Sequence, residues 1–254
     1  MQIYVCVKHV PDTAANIKVV EPAGFDESVK FVVNPYDEYG LEEALQIVSK
    51  AGGEIVAVTV GKESAVSSLR NALAVGATRG ILVKTDAQFL DSAVTARALK
   101  AAIAQDGTPD LIFTGKQSVD SEGMQTPYRL AQELDMPVVT EVVDVELGDG
   151  QAKVERETGG GVREGMEVSL PCVLGATKGL NEPRYPKLPD ILKAKKKEVK
   201  QVDMADLGLS DDSGNTGLVE LTQIPERSGA TMLEGSPREA SEKLVTILKE
   251  AKVI

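Results

Sequence analysis

The feature that most constrains the fold is a regular alternation of strand-like and helix-like segments through the first two thirds of the chain. The strand-like segments are short apolar runs, whereas the helix-like segments space their apolar residues three to four positions apart. The strands are expected at residues 3–9, 54–61, 80–85 and 110–116, and the helices at 35–53, 64–77, 91–107 and 123–136. This alternation predicts an α/β fold with a doubly wound, mostly parallel sheet covered by helices.

The pattern changes after residue 138, and the chain ends differently again. Three strand-like runs with glycines at 159–161 predict an antiparallel β meander added to the sheet. Residues 202–220 are polar and rich in glycine, which predicts an extended arm. Ser236 followed by Glu239 is a capping-box pattern, so a helix should close the chain. The predicted division is an α/β domain over residues 1–200, and an arm and helix over 201–254 that either pack on a partner subunit or fold back.

Charge, cysteine content and hydropathy narrow the function classes. The formal net charge of -11 disfavours non-specific nucleic-acid binding, which depends on positive charge. Cys6 and Cys172 lie in apolar runs, as expected for a reduced protein rather than a disulfide framework. No apolar stretch approaches the ~18 residues of a membrane span, and the N-terminus lacks a basic leader. We therefore predict a cytoplasmic protein without membrane insertion.

Residues suited to catalysis or metal binding are scarce. His9 is the single histidine, and we interpret it as structural because it ends a predicted strand. The chain has neither a Walker A loop nor a G-x-G-x-x-G pattern, and its cysteines lack metal-ligand spacing. We predict no catalytic and no metal-binding residues. If the protein takes part in a reaction, we expect a bound cofactor to supply the chemistry.

One loop, GKQSVDSEGMQTP at residues 115–127, has the character of a ligand site. It follows a predicted strand and opens a helix, whose unpaired N–H groups favour a phosphate. Gly123 is expected to allow a tight turn near a ligand. Its polar side chains are Ser118, Ser121, Gln125 and Thr126. The alternative interpretation is a plain connecting loop with a serine cap.

A second wall of the same site is expected at the end of the first strand, residues 6–8. In an open parallel sheet, ligands bind beyond the carboxyl ends of the strands where the strand order reverses. If the first strand neighbours the 110–116 strand at that reversal, both segments face one crevice. The segment VVNPYDE at 32–38 would cap it, although Asn34-Pro35 is also an ordinary helix-start signal.

Five segments together resemble the beta subunit of electron-transfer flavoprotein. They are VNPYDEYGLEEAL, AVGATRGI, GKQSVD, VERETGGG and LNEPRYPKLPDILKAKKK, in family order along essentially the whole chain. The last of them, at residues 180–197, is the most specific. The resemblance implies an adenine-nucleotide-binding α/β fold and a heterodimer with an alpha subunit that carries most of the redox FAD.

The resemblance also implies a nucleotide in this subunit: AMP in most members, or a second FAD that receives a hydride from NADH in electron-bifurcating members. By motif position the implied contacts are Cys6, Asn34, Val60, Ser118, Ser121, Gln125 and Thr126. The loop keeps Thr126 of the AMP pattern GKQAIDDDxNQTG but departs from it at Met124 and Pro127. It does not match the bifurcating pattern GRQAIDGDTAQVGP. AMP is therefore favoured, with a second FAD as the alternative.

The family further implies a recognition loop for a partner flavin dehydrogenase, such as an acyl-CoA dehydrogenase, at about residues 179–197. Its anchor matches Leu188, and Pro186 and Pro189 should stiffen the loop around it. A basic run follows at lysines 193 and 195–197. It either steers an acidic partner, with Lys193 and Lys196 as the main candidates, or forms a solvated helix face. The implied function is an electron carrier. The alternatives are an NADH-oxidising bifurcating subunit and a nucleotide-binding adaptor without a redox role.

Overall fold

The computed structural model describes residues 1–20, 22–211, 214–225 and 229–254. Two compact units are present, Met1–Leu221 and Thr222–Ile254. The strands are β1 (Gln2–Cys6), β2 (His9–Pro11), β3 (Val19–Val20), β4 (Gly24–Phe25), β5 (Phe31–Val33), β6 (Glu54–Gly61), β7 (Arg79–Lys84), β8 (Leu111–Gly115), β9 (Val138–Leu147), β10 (Gln151–Gly159), β11 (Val162–Ser169), β12 (Val173–Ala176) and β13 (Val199–Asp203). The helices are α1 (Pro35–Ala51), α2 (Val66–Val75), α3 (Ser92–Asp106), α4 (Thr126–Leu134), α5 (Leu188–Ala194) and α6 (Pro237–Glu250).

The main sheet has nine strands within the described residues, in the order β11-β10-β9-β12-β8-β1-β6-β7-β13. The strands from β9 to β13 in this order pair in parallel, whereas β10 and β11 are antiparallel additions at one edge. Because the chain runs outward from β1 to β6 and β7 and then returns to β8, the strand order reverses beside β1. The predicted doubly wound sheet with a meander, and the predicted β1–β8 neighbourhood, are confirmed.

Alternate residues of the central strands face two helical layers. Val5 and Phe113 share a core cluster with Leu41 of α1. Tyr4 faces the opposite way, into a second cluster that contains Leu99 of α3. Because helices cover both faces, the central strands are continuous apolar runs rather than alternating ones.

β12 does not continue the antiparallel meander, and that part of the sequence-based prediction was wrong. The ladder of β11 ends at Ser169, and Pro171, which has no N–H to donate, follows it. β12 then enters the centre of the sheet, parallel to both β8 and β9. All four of its residues are buried, as expected for a central strand with the sequence VLGA.

β13 crosses the domain boundary that the sequence suggested at residue 200. It pairs in parallel with β7 at the edge of the sheet, and the first compact unit continues to Leu221. Its sequence VKQVD places apolar residues three positions apart, so strand periodicity does not reveal it.

The second unit ends in the predicted helix. The side chain of Ser236 accepts a hydrogen bond from Glu239 N, and Glu239 Oε2 accepts one from Ser236 N, so the capping box is present. None of the residues of α6 is buried, and Leu244, Val245 and Ile247 are exposed. In the described part of the chain, no helix is both long and apolar enough to cross a membrane.

Candidate functional site

A cleft of about 580 Å³ lies beyond the carboxyl ends of β1, β6 and β8, at the point where the strand order reverses. Its volume is within the roughly 300–1,000 Å³ of typical ligand pockets. All seven residues implied by the family motifs line it: Cys6, Asn34, Val60, Ser118, Ser121, Gln125 and Thr126. The fold thus brings these residues together, and their contact with a ligand stays a prediction.

Asp37, in the first turn of α1, joins the ends of β1 and β8. Its Oδ2 accepts a hydrogen bond from Lys8 N at 2.7 Å, and its Oδ1 accepts one from Gly115 N at 2.8 Å. A Cβ at residue 115 would overlap Asp37 Oδ1 and the Tyr36 side chain, so glycine is required for this close approach. Burial raises the pKa of Asp37 to about 7, although the hydrogen bonds that it accepts act in the opposite direction. The sequence analysis did not single out this residue.

Asn34 holds the loop between β8 and α4 against the start of α1. Its Nδ2 donates to Asp37 Oδ1 and to Gln117 O, both at 2.9 Å, and its Oδ1 accepts from Val119 N at 3.1 Å. The residue is buried. Its side-chain amide is therefore occupied by the protein, and Asn34 shapes the cleft by positioning the loop.

The loop before α4 presents hydroxyl groups to the cleft. Ser118 Oγ and Ser121 Oγ are 2.8 Å apart, and Thr126 is the first residue of the helix. Gln125 Oε1 accepts hydrogen bonds from Arg129, so the amide nitrogen is the part of this side chain left for a ligand. The tight turn was predicted at Gly123, but the left-handed residues are its neighbours, Glu122 (φ 49) and Met124 (φ 51).

Two buried hydroxyls support a polar ligand in the cleft. Thr59 and Thr114 both line it, yet their Oγ1 atoms have no hydrogen-bond partner in the described part of the protein. A buried hydroxyl without a partner costs free energy, so such groups usually mark a bound water or ligand. Together with the start of α4, this donor set fits the phosphate and sugar of a nucleotide.

An aromatic wall forms another side of the cleft, and the sequence analysis missed it. Phe31 stacks on His9 with ring centroids 4.5 Å apart, and Phe25 lies 6.3 Å from Phe31 and 5.9 Å from Phe89. Burial lowers the pKa of His9, and its Nδ1 lies 2.8 Å from Ser68 Oγ. His9 thus packs on Phe31 and lies within hydrogen-bond distance of Ser68, and its structural interpretation stays a prediction. The described residues contain no cluster of three or more potential metal ligands.

The predicted recognition loop presents an apolar surface beside α5. Leu188, the first residue of α5, is 71% exposed, and Tyr185 and Leu192 are also exposed. Pro186 is half-buried, and Pro189 lies in the first turn of α5. We call the exposed Tyr185, Leu188, Ile191 and Leu192 the α5 apolar patch. Exposed leucines on a short helix are typical of a binding surface.

The base of this loop is fastened to α1. Arg184 donates two hydrogen bonds to the Glu42 carboxylate, at 2.7 and 2.8 Å, and Glu42 itself is buried. Asn181 Nδ2 donates to Tyr39 O and to Glu43 Oε2, both at 3.0 Å. A loop held in this way is ordered before a partner binds, which lowers the entropic cost of association.

The far end of α5 is fastened to α2. Arg70 donates to Ala194 O and Lys197 O at 2.7 and 2.6 Å, and Lys197 Nζ donates to the carbonyls of Leu73 and Ala77. Lys197, predicted to be part of the exposed basic run, instead caps the C-terminal end of α2. Lys196 is exposed, whereas Lys193 pairs with Asp190 at 3.1 Å on the surface.

The open, mostly parallel sheet and the polar cleft at its switch point define a doubly wound α/β protein with a candidate ligand site beyond its strand ends. The profile of the electron transfer flavoprotein domain matches residues 23–207. The chain belongs to the electron transfer flavoprotein family, and within it to the beta subunits.

Relatives over the full length support this assignment. The chain is 36% identical to the electron transfer flavoprotein subunit beta of Bacillus subtilis (strain 168) over 263 residues, with 100% of both chains covered. It is 38% identical to the subunit beta of Mus musculus, with 98% of this chain and 97% of the relative covered. It is 39% identical to the mitochondrial subunit beta of Arabidopsis thaliana, with 92% and 93% covered.

Proposed function

We propose that this chain is the beta subunit of a heterodimeric electron carrier that serves a flavin dehydrogenase, such as an acyl-CoA dehydrogenase, and a downstream acceptor. FAD held mainly by the alpha subunit supplies the redox chemistry. The residues of this chain dock the dehydrogenase and hold a structural nucleotide, so it needs no catalytic side chain. The observation that carries the proposal is Leu188, which is 71% exposed on a loop fastened at both ends.

We further propose that the cleft holds AMP. The support is the start of α4, the hydroxyls of Ser118 and Ser121, and the hydroxyls of Thr59 and Thr114, which have no hydrogen-bond partner among the described residues. An AMP in this position would stabilise the fold without taking part in electron transfer, because AMP carries no redox-active group. A ligand that binds only the folded state stabilises it by RT ln(1 + L/Kd), where L is the free ligand concentration.

The nucleotide content of the purified heterodimer tests this function directly. We expect one FAD and one AMP per heterodimer after co-expression with the alpha subunit, denaturation and chromatography of the released nucleotides. A heterodimer without any flavin would contradict the electron-carrier proposal and would favour an adaptor role instead.

The aromatic wall favours a second candidate, an electron-bifurcating subunit with a second FAD. The flat ring system of a flavin packs well on aromatic faces such as those of Phe25, Phe31 and Phe89. The same nucleotide analysis separates the candidates, since two FAD and no AMP per heterodimer would support this one. NADH oxidation would then be the next assay.

Thr126→Val tests the contact between the first residue of α4 and the nucleotide. Valine keeps the shape and removes the hydroxyl, so we expect nucleotide retention to fall by about 3- to 10-fold, the value of one hydrogen bond. The measurement is the dissociation rate of AMP from the heterodimer. Thr158→Val, at the exposed end of β10, is the matched control and should leave the rate unchanged. Equal rates for Thr126→Val and wild type would remove this contact from the proposal.

The second unit, Thr222–Ile254, is proposed to pack on the alpha subunit through α6. The exposed Leu244, Val245 and Ile247 give this helix an apolar face that a partner subunit would bury.

We also propose that the protein works in the cytoplasm, which agrees with its two free, buried cysteines.

A further inference from the structure

Lys8 reaches across the cleft to the loop before α4. Its Nζ lies 2.7 Å from Asp120 Oδ1, 3.2 Å from Ser118 Oγ and 3.5 Å from Ser121 Oγ. The two serine hydroxyls are themselves within hydrogen-bond distance of each other. An ammonium group and two hydroxyl donors therefore meet at one point, just before the first turn of α4.

The backbone of Lys8 is fixed, whereas its side chain is only weakly held. Lys8 N donates to Asp37, and Lys8 O accepts from Asn34 N at 2.9 Å. The Lys8 side chain is 45% exposed and that of Asp120 is 22% exposed. Ion pairs at this exposure contribute little to stability, so a competing anion can replace Asp120.

Of the two lysines among the described residues that line the cleft, Lys8 is the one near the start of α4. The other is Lys62. Lys62 Nζ donates to both carboxylate oxygens of Glu27, at 2.8 and 2.9 Å. Glu27, the partner of Lys62, interacts electrostatically with His9, which stacks on Phe31 of the aromatic wall, whereas Lys8 Nζ lies at the loop before α4. A phosphate at the start of α4 would carry negative charge that the helix end offsets only in part.

We propose that Lys8 is a phosphate-binding residue of the nucleotide site. When a nucleotide is bound, the Lys8 ammonium leaves Asp120 and donates to a phosphate oxygen, beside the Ser118 and Ser121 hydroxyls. Charge-assisted hydrogen bonds of this kind are stronger than neutral ones. This assignment rests on the proposed function, in which the cleft holds a nucleotide. It concerns the phosphate group, which AMP and FAD share.

The test compares AMP with adenosine, which lacks the phosphate. The heterodimer is freed of its cleft nucleotide and titrated with each compound by calorimetry, for wild type, Lys8→Met and Lys62→Met. We expect Lys8→Met to weaken AMP binding by about 10- to 100-fold. Adenosine binding should change by less than about threefold. Lys62→Met places the same substitution in the same cleft and should leave the ratio of the two affinities unchanged.

Asp120→Asn tests whether Lys8 exchanges Asp120 for the phosphate, because it should change AMP affinity in the direction opposite to Lys8→Met. It releases Lys8 and removes a carboxylate from beside the phosphate, so AMP should bind severalfold more tightly. Weaker AMP binding by this variant, or an unchanged AMP-to-adenosine ratio in Lys8→Met, would overturn the assignment.

Binding by the wild type separates this inference from the proposed function. If the wild type binds AMP and Lys8→Met binds it equally well, the Lys8 assignment alone is wrong. If the wild type takes FAD instead, FAD replaces AMP, and the comparison is between the FAD affinities of Lys8→Met and Lys62→Met. If it binds neither nucleotide, the proposed nucleotide site is wrong, and the role of Lys8 is wrong with it.

Discussion

Leu188→Ala is expected to lower kcat/KM for electron transfer from the dehydrogenase by about 30-fold or more. The side chain is 71% exposed in this chain, and burial against a partner would remove that apolar surface from water. Truncation of an interface anchor to alanine typically lowers the binding free energy by at least about 2 kcal/mol, which corresponds to about 30-fold in kcat/KM. The measurement is steady-state reduction of the purified heterodimer by its dehydrogenase, with the FAD content determined in the same preparation.

The position of Leu188 supports a loss in docking rather than in folding. The loop is fastened to α1 through Arg184 and Glu42, and to α2 through Arg70. None of these contacts involves the Leu188 side chain, so the loop should keep its shape in the variant. The FAD content should therefore equal that of the wild type.

Val162→Ala is the matched control, because Val162 is exposed on the β10–β11 hairpin and lies outside the loop. It should transfer electrons at the rate of the wild type. If Leu188→Ala did so too, the leucine would not be the anchor. If Leu188→Ala lost FAD as well as electron transfer, the loop would instead stabilise the heterodimer itself.

The fold was predictable from sequence where a local pattern determines the structure. The apolar strands and amphipathic helices are each long enough to show their period, and their alternation predicts a parallel sheet covered by helices. The cleft was predictable for the same reason, because strand ends at a switch point form a crevice in any such sheet. Ser118 and Thr126 belong to the loop that follows one of these ends.

The parts that could not be predicted depend on contacts between distant segments. The insertion of β12 beside β8 pairs residues about 60 positions apart, and the local sequence does not predict this pairing. Asp37 was missed, and Lys197 was assigned to the exposed basic run, for a similar reason. The partners of Asp37 include Gly115, and those of Lys197 include Leu73, so each role becomes visible only when the chain is folded.

Helix α1 contributes to both candidate sites. Its first turn, through Asp37, holds the ends of β1 and β8 beside the nucleotide cleft. One turn later, Glu42 and Glu43 hold the base of the recognition loop. A change that loosens the start of this helix should therefore disturb the cleft first, since the cleft depends on the first turn directly.

Asp37→Asn is expected to lower the free energy of unfolding by about 1–3 kcal/mol and to release the cleft nucleotide. The carboxylate accepts hydrogen bonds from Lys8 N, Gly115 N and Asn34 Nδ2, and an amide cannot accept at both of its ends. At least one buried N–H group would then face another donor, at a cost of about 1–3 kcal/mol. Urea unfolding of the heterodimer at fixed concentration and at pH 8, where Asp37 is ionised, measures the change. Asp26→Asn, on an exposed turn, is the control and should change it by less than about 0.5 kcal/mol.

The same pair of proteins gives a pH dependence with a definite sign. Burial raises the pKa of Asp37 from 3.8 to about 7, so between these values the folded state holds a proton that the unfolded state has lost. The contribution of Asp37 to stability is therefore complete below about pH 4 and is lost as the pH rises through 7. The advantage of the wild type over Asp37→Asn should be larger at pH 5 than at pH 8. An advantage that grows with pH would mean that the three N–H donors outweigh burial and keep Asp37 ionised in the folded protein.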